Sequence, residues 1–400
     1  MLRNKSSELV QELSRYLKEG WYNDIGIKTA PLAHGGSFPV EPLATDLLEL
    51  HKCRILSLVA LDSPNDVLRE LESFRHPELP PDLGSRLPLI DHIIFSAGVS
   101  WGEGFYREAR SYLDRAAEEL GVFTDRFAEL HELCQMDSLS LVKVLSDRLN
   151  PTNSPESTEI EGKPLIARLG RYYTIRSWEE ATRGESCQSE KDNSIGCILT
   201  YFGSLSHDVS IESLVREIEL ADTTKNVGRF NTSRNALLSL YNTLAEPVSS
   251  RLSSLDLDFS FATPLGELKY LSVTPNVSIT DILFGLDWSY SPWKALLSAE
   301  ILQMHIADRC AKIDSISRDD LKETVRWCDD VSKVFHKHNR DQHPLLLTVL
   351  RYQYQLCQRL QSEEHFQQKL EPIRERFAML NDRIGELNGP EYTRSLDDDR

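Results

Sequence analysis

Arg54-Ile55-Leu56-Ser57-Leu58-Val59-Ala60-Leu61 is the stretch on which the fold turns. It is a short apolar run bounded by the turn residues Asp62-Ser63-Pro64. A run of this length between turn signals reads as a buried strand. Leu47 to His51, just before it, reads as the end of a helix. Working outward, Pro64 to Phe74 has a helical period, and the loop HPELPPDLGSRLP follows. A second apolar run, His92-Ile93-Ile94-Phe95-Ser96-Ala97, then ends at Gly98. Strand, helix and strand at this spacing are what a parallel α/β unit requires.

The helical segment from Phe105 to Leu120 continues that alternation, and a further helix is expected over 124–149. Two polar loops, PTNSPESTEIEGKP and TRGESCQSEKDNS, separate it from a third strand candidate, Ile195 to Phe202. The chain opens with an amphipathic helix from Ser6 to Lys18, stopped by Gly20. Beyond Asp208 helical periods dominate, at 211–221, 232–244, 293–313, 318–338 and 344–387. The expected fold is therefore α/β, with a small, mainly parallel sheet in the N-terminal half and a predominantly helical C-terminal half. The expected division is 1–210 as a Rossmann-like α/β portion, 211–390 as a helical portion packed on it, and 391–400 as a flexible tail.

The 400 residues are 40% hydrophobic and 27% charged, as in a folded globular protein. No apolar run reaches the roughly 18 to 20 residues needed to span a bilayer. The first helix has no apolar signal core, so a cytoplasmic protein without membrane attachment is expected. Seven cysteines, odd in number, scattered and without a CxxC pair, read as reduced thiols rather than a zinc site. A net charge of -17 repels phosphate on average and favours a cationic substrate or partner. Nucleic-acid binding would need a local basic patch. Arg168, Arg171 and Arg176, interleaved with Tyr172, Tyr173 and Trp178, form the best such patch in the chain. Snorkelling arginines on a half-buried element give the same pattern.

Two motifs carry chemistry. Gly98-Val99-Ser100-Trp101-Gly102 fits the G-x-S-x-G pattern at the expected end of a strand, where flanking glycines let a sharp turn present the serine hydroxyl. His34-Gly35-Gly36-Ser37 upstream resembles an oxyanion loop. A serine hydrolase or acyltransferase using Ser100 follows as one reading, although the later half offers no recognisable Asp and His partners. Asp319-Asp320-Leu321-Lys322-Glu323 is the other, of the form D-D-x-x-E. On a helix, Asp319 and Glu323 are four apart and Asp320 and Glu323 three apart, so the carboxylates share a face. Such a group can hold Mg²⁺, bind a guanidinium or move a proton. Ser317 before Asp319 and Asp320 reads equally as a helix cap. His336, His338 and His343 fit no zinc template and read as surface residues.

The D-D-x-x-E motif in an acidic chain of this length with a helical C-terminal half resembles the arginine-containing cyclodipeptide synthases of fungi. The resemblance implies an aminoacyltransferase of secondary metabolism. Such an enzyme condenses arginine with a second amino acid, taken from arginyl-transfer RNA and another aminoacyl-transfer RNA, into a diketopiperazine. It implies no cofactor and no metal. It places Asp319, Asp320 and Glu323 in the active site, with Ser100, by similarity to bacterial cyclodipeptide synthases, as an acyl acceptor. Tyr241 and Glu246 resemble the Tyr/Glu pair that positions the amino group in those enzymes, at a spacing one residue longer. A non-catalytic helical interaction protein is the contrasting reading.

Overall fold

The computed structural model describes residues 3–19, 21–34, 43–124, 159–183 and 309–396, together with ten further residues between 141 and 307. Of the described part 81% is helical, and no strand occurs in it. This overturns the expected parallel sheet. Residues 54–60 belong to a single helix that begins ten residues earlier, with Leu61 as its C-cap, and 92–97 lies inside another. Of the third expected strand, Ile195, Gly196 and Leu199 are helical, and its other residues lie outside the described part.

The N-terminal helices are α1 (Arg3–Glu19), α2 (Tyr22–Lys28), α3 (Ala30–His34), α4 (Ala44–Ala60) and α5 (Pro64–Ser73). Helix α4 explains the misleading run. Leu48, Leu50, Ile55, Leu56 and Val59 are buried on almost every side, so the apolar pattern is continuous instead of periodic. Its stop is local. Asp62 takes a left-handed conformation at φ 55°, and Pro64 then starts α5 at a position where its missing N–H costs nothing. Helices α1 and α2 close over α4 through Leu13, Tyr16, Ile25, Leu50 and Cys53.

Helix α6 (Leu83–Gly102) is capped by Asp82, whose carboxylate accepts from the Ser85 N–H at 2.9 Å. It tolerates Pro88 in its second turn, and it buries Leu89, Ile90, Ile93, Ile94, Ala97 and Val99. Helix α7 (Tyr106–Thr124) and helix α8 (Glu159–Arg183) complete the N-terminal set.

The C-terminal helices are α9 (Arg318–Lys337), α10 (Leu345–Arg359) and α11 (Glu364–Asn388), followed by a 3₁₀ turn at Pro390–Tyr392. Helix α10 packs against both α9 and α11. Leu346, Val349, Leu350, Leu356 and Cys357 fill the interior with Val325, Cys328, Val331 and Phe335. The expected single helix from Pro344 to Leu387 is broken at residues 360–363, and Gly389, at φ 106°, ends α11. Tyr392 is buried, and Arg394 N–H donates to Asn381 Oδ1 at 2.8 Å.

The chain divides into two compact units. Among the described helices, α1–α5, α6 up to Trp101, α7 from Glu108, and α8 belong to the first; Gly102–Arg107 and α9–α11 belong to the second. The division expected at 210/211 lies outside the described residues. Within the second unit the short segment 102–107 is held by two devices. Glu103 and Arg340 form a bidentate ion pair at 2.7 and 2.9 Å, with side chains 0% and 1% exposed. Asn388 Oδ1 accepts from the Tyr106 N–H at 2.7 Å, while its Nδ2 donates to the Gly104 carbonyl at 3.1 Å.

Candidate functional site

The acidic motif begins α9, and its local geometry is that of a capped helix. Ser317 is the N-cap and accepts from the Asp320 N–H at 3.2 Å, while its hydroxyl donates to Asp320 Oδ2 at 2.6 Å. That hydroxyl bond holds the Asp320 carboxyl below its ordinary range, with Arg309 adding a smaller attraction. Asp319 is exposed in the first turn, where its charge complements the helix dipole.

The motif does more than cap. Arg309, in a helical segment that ends two residues later and leads through turns into α9, lays its guanidinium on the motif. Its Nη1 donates to Glu323 Oε2 at 3.0 Å, to the Asp320 carbonyl at 3.2 Å and to Thr324 Oγ1 at 3.2 Å. Asp320 Oδ1 is 4.0 Å away. The guanidinium carbon stands 3.9 Å from the centre of the Trp327 ring, at cation–π distance. One carboxylate in contact, a second nearby, a carbonyl, a hydroxyl and an aromatic platform together make a guanidinium cage. The site is half open, with Arg309 25%, Glu323 35% and Asp320 46% exposed.

Asp320 and Glu323 thus meet at one cation, while Asp319 makes none of the described contacts to it. The partners missed from sequence are Arg309, Thr324 and Trp327. Positions 320, 324 and 327 follow the spacing of one helical face, a signal that was available. Arg309 comes from a separate segment. Other residues on the polar face of α9 are engaged as well. Lys322 and Arg318 both pair with Glu363 at 2.9 Å, and Asp329 accepts from Gln353 at 2.6 Å and Lys369 at 3.1 Å.

The other predicted residues are placed as follows. Ser100 lies within α6, fully buried, and its hydroxyl has no hydrogen-bond partner among the described residues. Gly98 and Gly102 are helical residues there, so the strand-to-helix turn that would present a nucleophile is absent, because the run before it is helix and not strand. His34 ends α3, and the rest of the expected oxyanion loop lies outside the described residues. So do Tyr241 and Glu246.

The basic patch falls on α8. Arg168 and Arg171 both pair with Asp91 of α6, Arg171 at 3.2 Å, and Arg176 pairs with Glu180 at 2.8 Å and Asp192 at 2.9 Å. Of the histidines near the end of α9, His343 departs from the surface reading. His336 is exposed and bonded to Asp341 at 2.9 Å, but His343 is buried against Phe335 and Tyr106, and burial pushes its pKa down to about 3.

Among the described residues no cluster of His, Cys, Asp and Glu could hold a metal ion. No described helix is long and apolar enough to cross a membrane. Cys53, Cys310, Cys328 and Cys357 are free thiols. No protein-family model, no curated protein and no solved structure matches the chain.

Proposed function

We propose that the chain is a transfer-RNA-dependent aminoacyltransferase that condenses arginine with a second amino acid into a cyclo(Arg-Xaa) diketopiperazine, with the D-D-x-x-E cluster receiving the arginyl side chain. The observation that carries the reading is the Arg309 guanidinium seated on Glu323, Thr324, the Asp320 carbonyl and Trp327. The motif that prompted the family resemblance is therefore paired with an arginine side chain in this chain. A carboxylate with an aromatic plane selects guanidinium over ammonium by fork geometry and stacking.

The chemistry balances without a cofactor. The α-amine of one aminoacyl-transfer RNA attacks the ester of the other, forming an amide and releasing a transfer-RNA hydroxyl. The free amine of the dipeptide then attacks the remaining ester, closing the six-membered ring and releasing the second hydroxyl. Each attacking amine must lose a proton, which a carboxylate beside the arginyl residue can accept. Ser100 has no part in this scheme, because its hydroxyl is buried inside α6. An RNA-bound substrate is also what sets the reading against the -17 net charge, so its phosphate contacts must be local.

Expression in a heterologous host and mass spectrometry of the medium test the proposal. An arginine-containing diketopiperazine is expected from the wild type, with at least a tenfold loss from Glu323→Ala at equal soluble protein. No product from either chain, or equal product from both, refutes it.

A second reading draws on the same contact. Arg309 already fills the cage, as it would in a purely structural clasp between the segment before α9 and α9 itself. On that reading, Glu323→Ala lowers stability by less than about 1 kcal/mol, as for a half-exposed pair, and no product forms from any variant.

A further inference from the structure

A row of three histidines, two buried and His76 half-buried, crosses the first unit, remote in sequence from the acidic motif. Arg115 of α7 lies 2.8 Å from His76 Nδ1; His76 Nε2 lies 3.0 Å from His92 Nδ1; and His92 Nε2 lies 2.8 Å from His51 Nδ1. His51 of α4 and His92 of α6 are 0% exposed. Phe74 stacks on the His51 ring at 3.7 Å and 9°. His51 Nε2 faces the Glu70 backbone but makes no well-aligned hydrogen bond.

The direction of every bond in this row is fixed by its first member. A guanidinium has only donors, so His76 Nδ1 must carry a lone pair. The His76 proton is then on Nε2 and points to His92 Nδ1. By the same step the protons of His92 and His51 are also on Nε2. Each contact now holds one proton, and the last sits on His51 Nε2. The row is full: a fourth proton would set two N–H groups against each other at one of the contacts, or an N–H against Arg115.

We infer that the His51–His92–His76 row, oriented by Arg115, is an acid-sensitive clasp that joins α4, the segment after α5, α6 and α7, and that cannot take up a proton without parting. The charged groups around it point the same way. Lys52 and Arg54 of α4 and Arg115 of α7 are all cations that disfavour an imidazolium, and Arg54 is paired with Glu70 of α5 at 2.7 Å. Burial acts alongside them: it pulls His51 down to about 3 and His76 to about 4, and holds His92 well below its ordinary value.

The sign follows. These imidazoles are neutral when folded and bind protons near pH 6.5 when unfolded, so stability is full above pH 6.5 and is lost as pH falls toward the folded values. Between pH 6 and 5 each excluded proton raises the unfolding equilibrium constant about sevenfold, and the full row raises it roughly 400-fold.

The test uses the full chain labelled with ¹⁵N-histidine at pH 7.5. All three row histidines are expected to show an unprotonated Nδ1 and a protonated Nε2. Denaturant titrations at pH 6 and pH 5 then compare wild type with Arg115→Met and His76→Asn. His76→Asn is expected to respond about sevenfold less than wild type, because one excluded proton is removed, and Arg115→Met to respond less than wild type, because it frees His76 Nδ1 to accept a proton in the folded state. A protonated Nδ1 on any row histidine in the wild type overturns the clasp, as does an Arg115→Met protein with the wild-type pH response. If the variants do not fold, the wild-type nitrogen shifts decide the matter alone.

Discussion

Replacing Glu103 with Gln is the sharpest structural perturbation the second unit offers. The carboxylate takes Arg340 Nε at 2.9 Å and Nη2 at 2.7 Å, while Nη1 donates to the His338 carbonyl at 2.5 Å. Neither side chain has measurable contact with solvent, at 0% and 1% exposure. A Gln side chain can accept at one oxygen only, so one guanidinium N–H is left facing an amide N–H and the charge–charge attraction of this pair is lost. Breaking a buried pair in this way costs about 3 to 5 kcal/mol, because the remaining charge cannot be rehydrated. Equilibrium urea denaturation measures the loss, and hydrogen exchange across α9–α11 locates it. Replacing both residues by Met should return at least about 2 kcal/mol of it, since an apolar pair removes the stranded charge. A loss below about 1 kcal/mol for Glu103→Gln, or a double variant no better than the single one, would show that water reaches Arg340 and that the burial argument fails.

Asn388→Ala removes the side chain that caps Tyr106 and satisfies the Gly104 carbonyl, and should cost about 1 to 3 kcal/mol in the same titration; a neutral result would mean the loop finds other partners. Ser317→Ala should cost about 1 kcal/mol through the lost N-cap of α9. Asp320 has a lowered folded pKa, so its contribution is present above its unfolded value and is lost as pH falls below it; Asp320→Asn should flatten that acid limb, and an unchanged limb would remove the Ser317 bond as its cause. Burial raises the Cys310 thiol to about 12, the Cys357 thiol to about 11 and the Cys328 thiol well above its ordinary value, so iodoacetamide at pH 7.5 should label them only on unfolding. Rapid native labelling of Cys328 would show that the α9–α10 interior opens.

The helical content of the C-terminal third was legible in the period of its apolar residues, because α9 and α10 each keep a polar face and so show the pattern. The N-terminal half was misread for the converse reason. Helices α4 and α6 are enclosed on nearly all sides, and a buried helix presents a continuous apolar run that eight residues cannot distinguish from a strand. Length would have decided the matter. No Gly, Pro or Asn interrupts the chain from Ala44 to Ala60, and seventeen unbroken residues suit a helix far better than a strand of ordinary length. Pro88, which closes the expected loop, and Gly98, which ends the expected strand, both sit inside α6. Packing on all sides outweighs the cost of one missing hydrogen bond and one flexible residue.

The two clusters of polar side chains differ in how much of each a sequence can show. Asp320, Thr324 and Trp327 are neighbours on one helix, so their convergence follows from spacing, and only Arg309 had to be supplied by the fold. His51, His76 and His92 come from three elements, and no local rule relates them. The arginines of α8 show the same limit in the opposite direction. Their spacing suggested a phosphate-binding strip, but Asp91 projects from α6 to hold two of them, and Arg176 is paired with Glu180 and Asp192. A phosphate would have to displace carboxylates that are 17% exposed or less, at a distance where the attraction is only partly screened. Transfer-RNA binding in the proposed reaction must therefore either draw on other cations or break these pairs, and the salt dependence of binding to wild type and Asp91→Asn distinguishes the two routes.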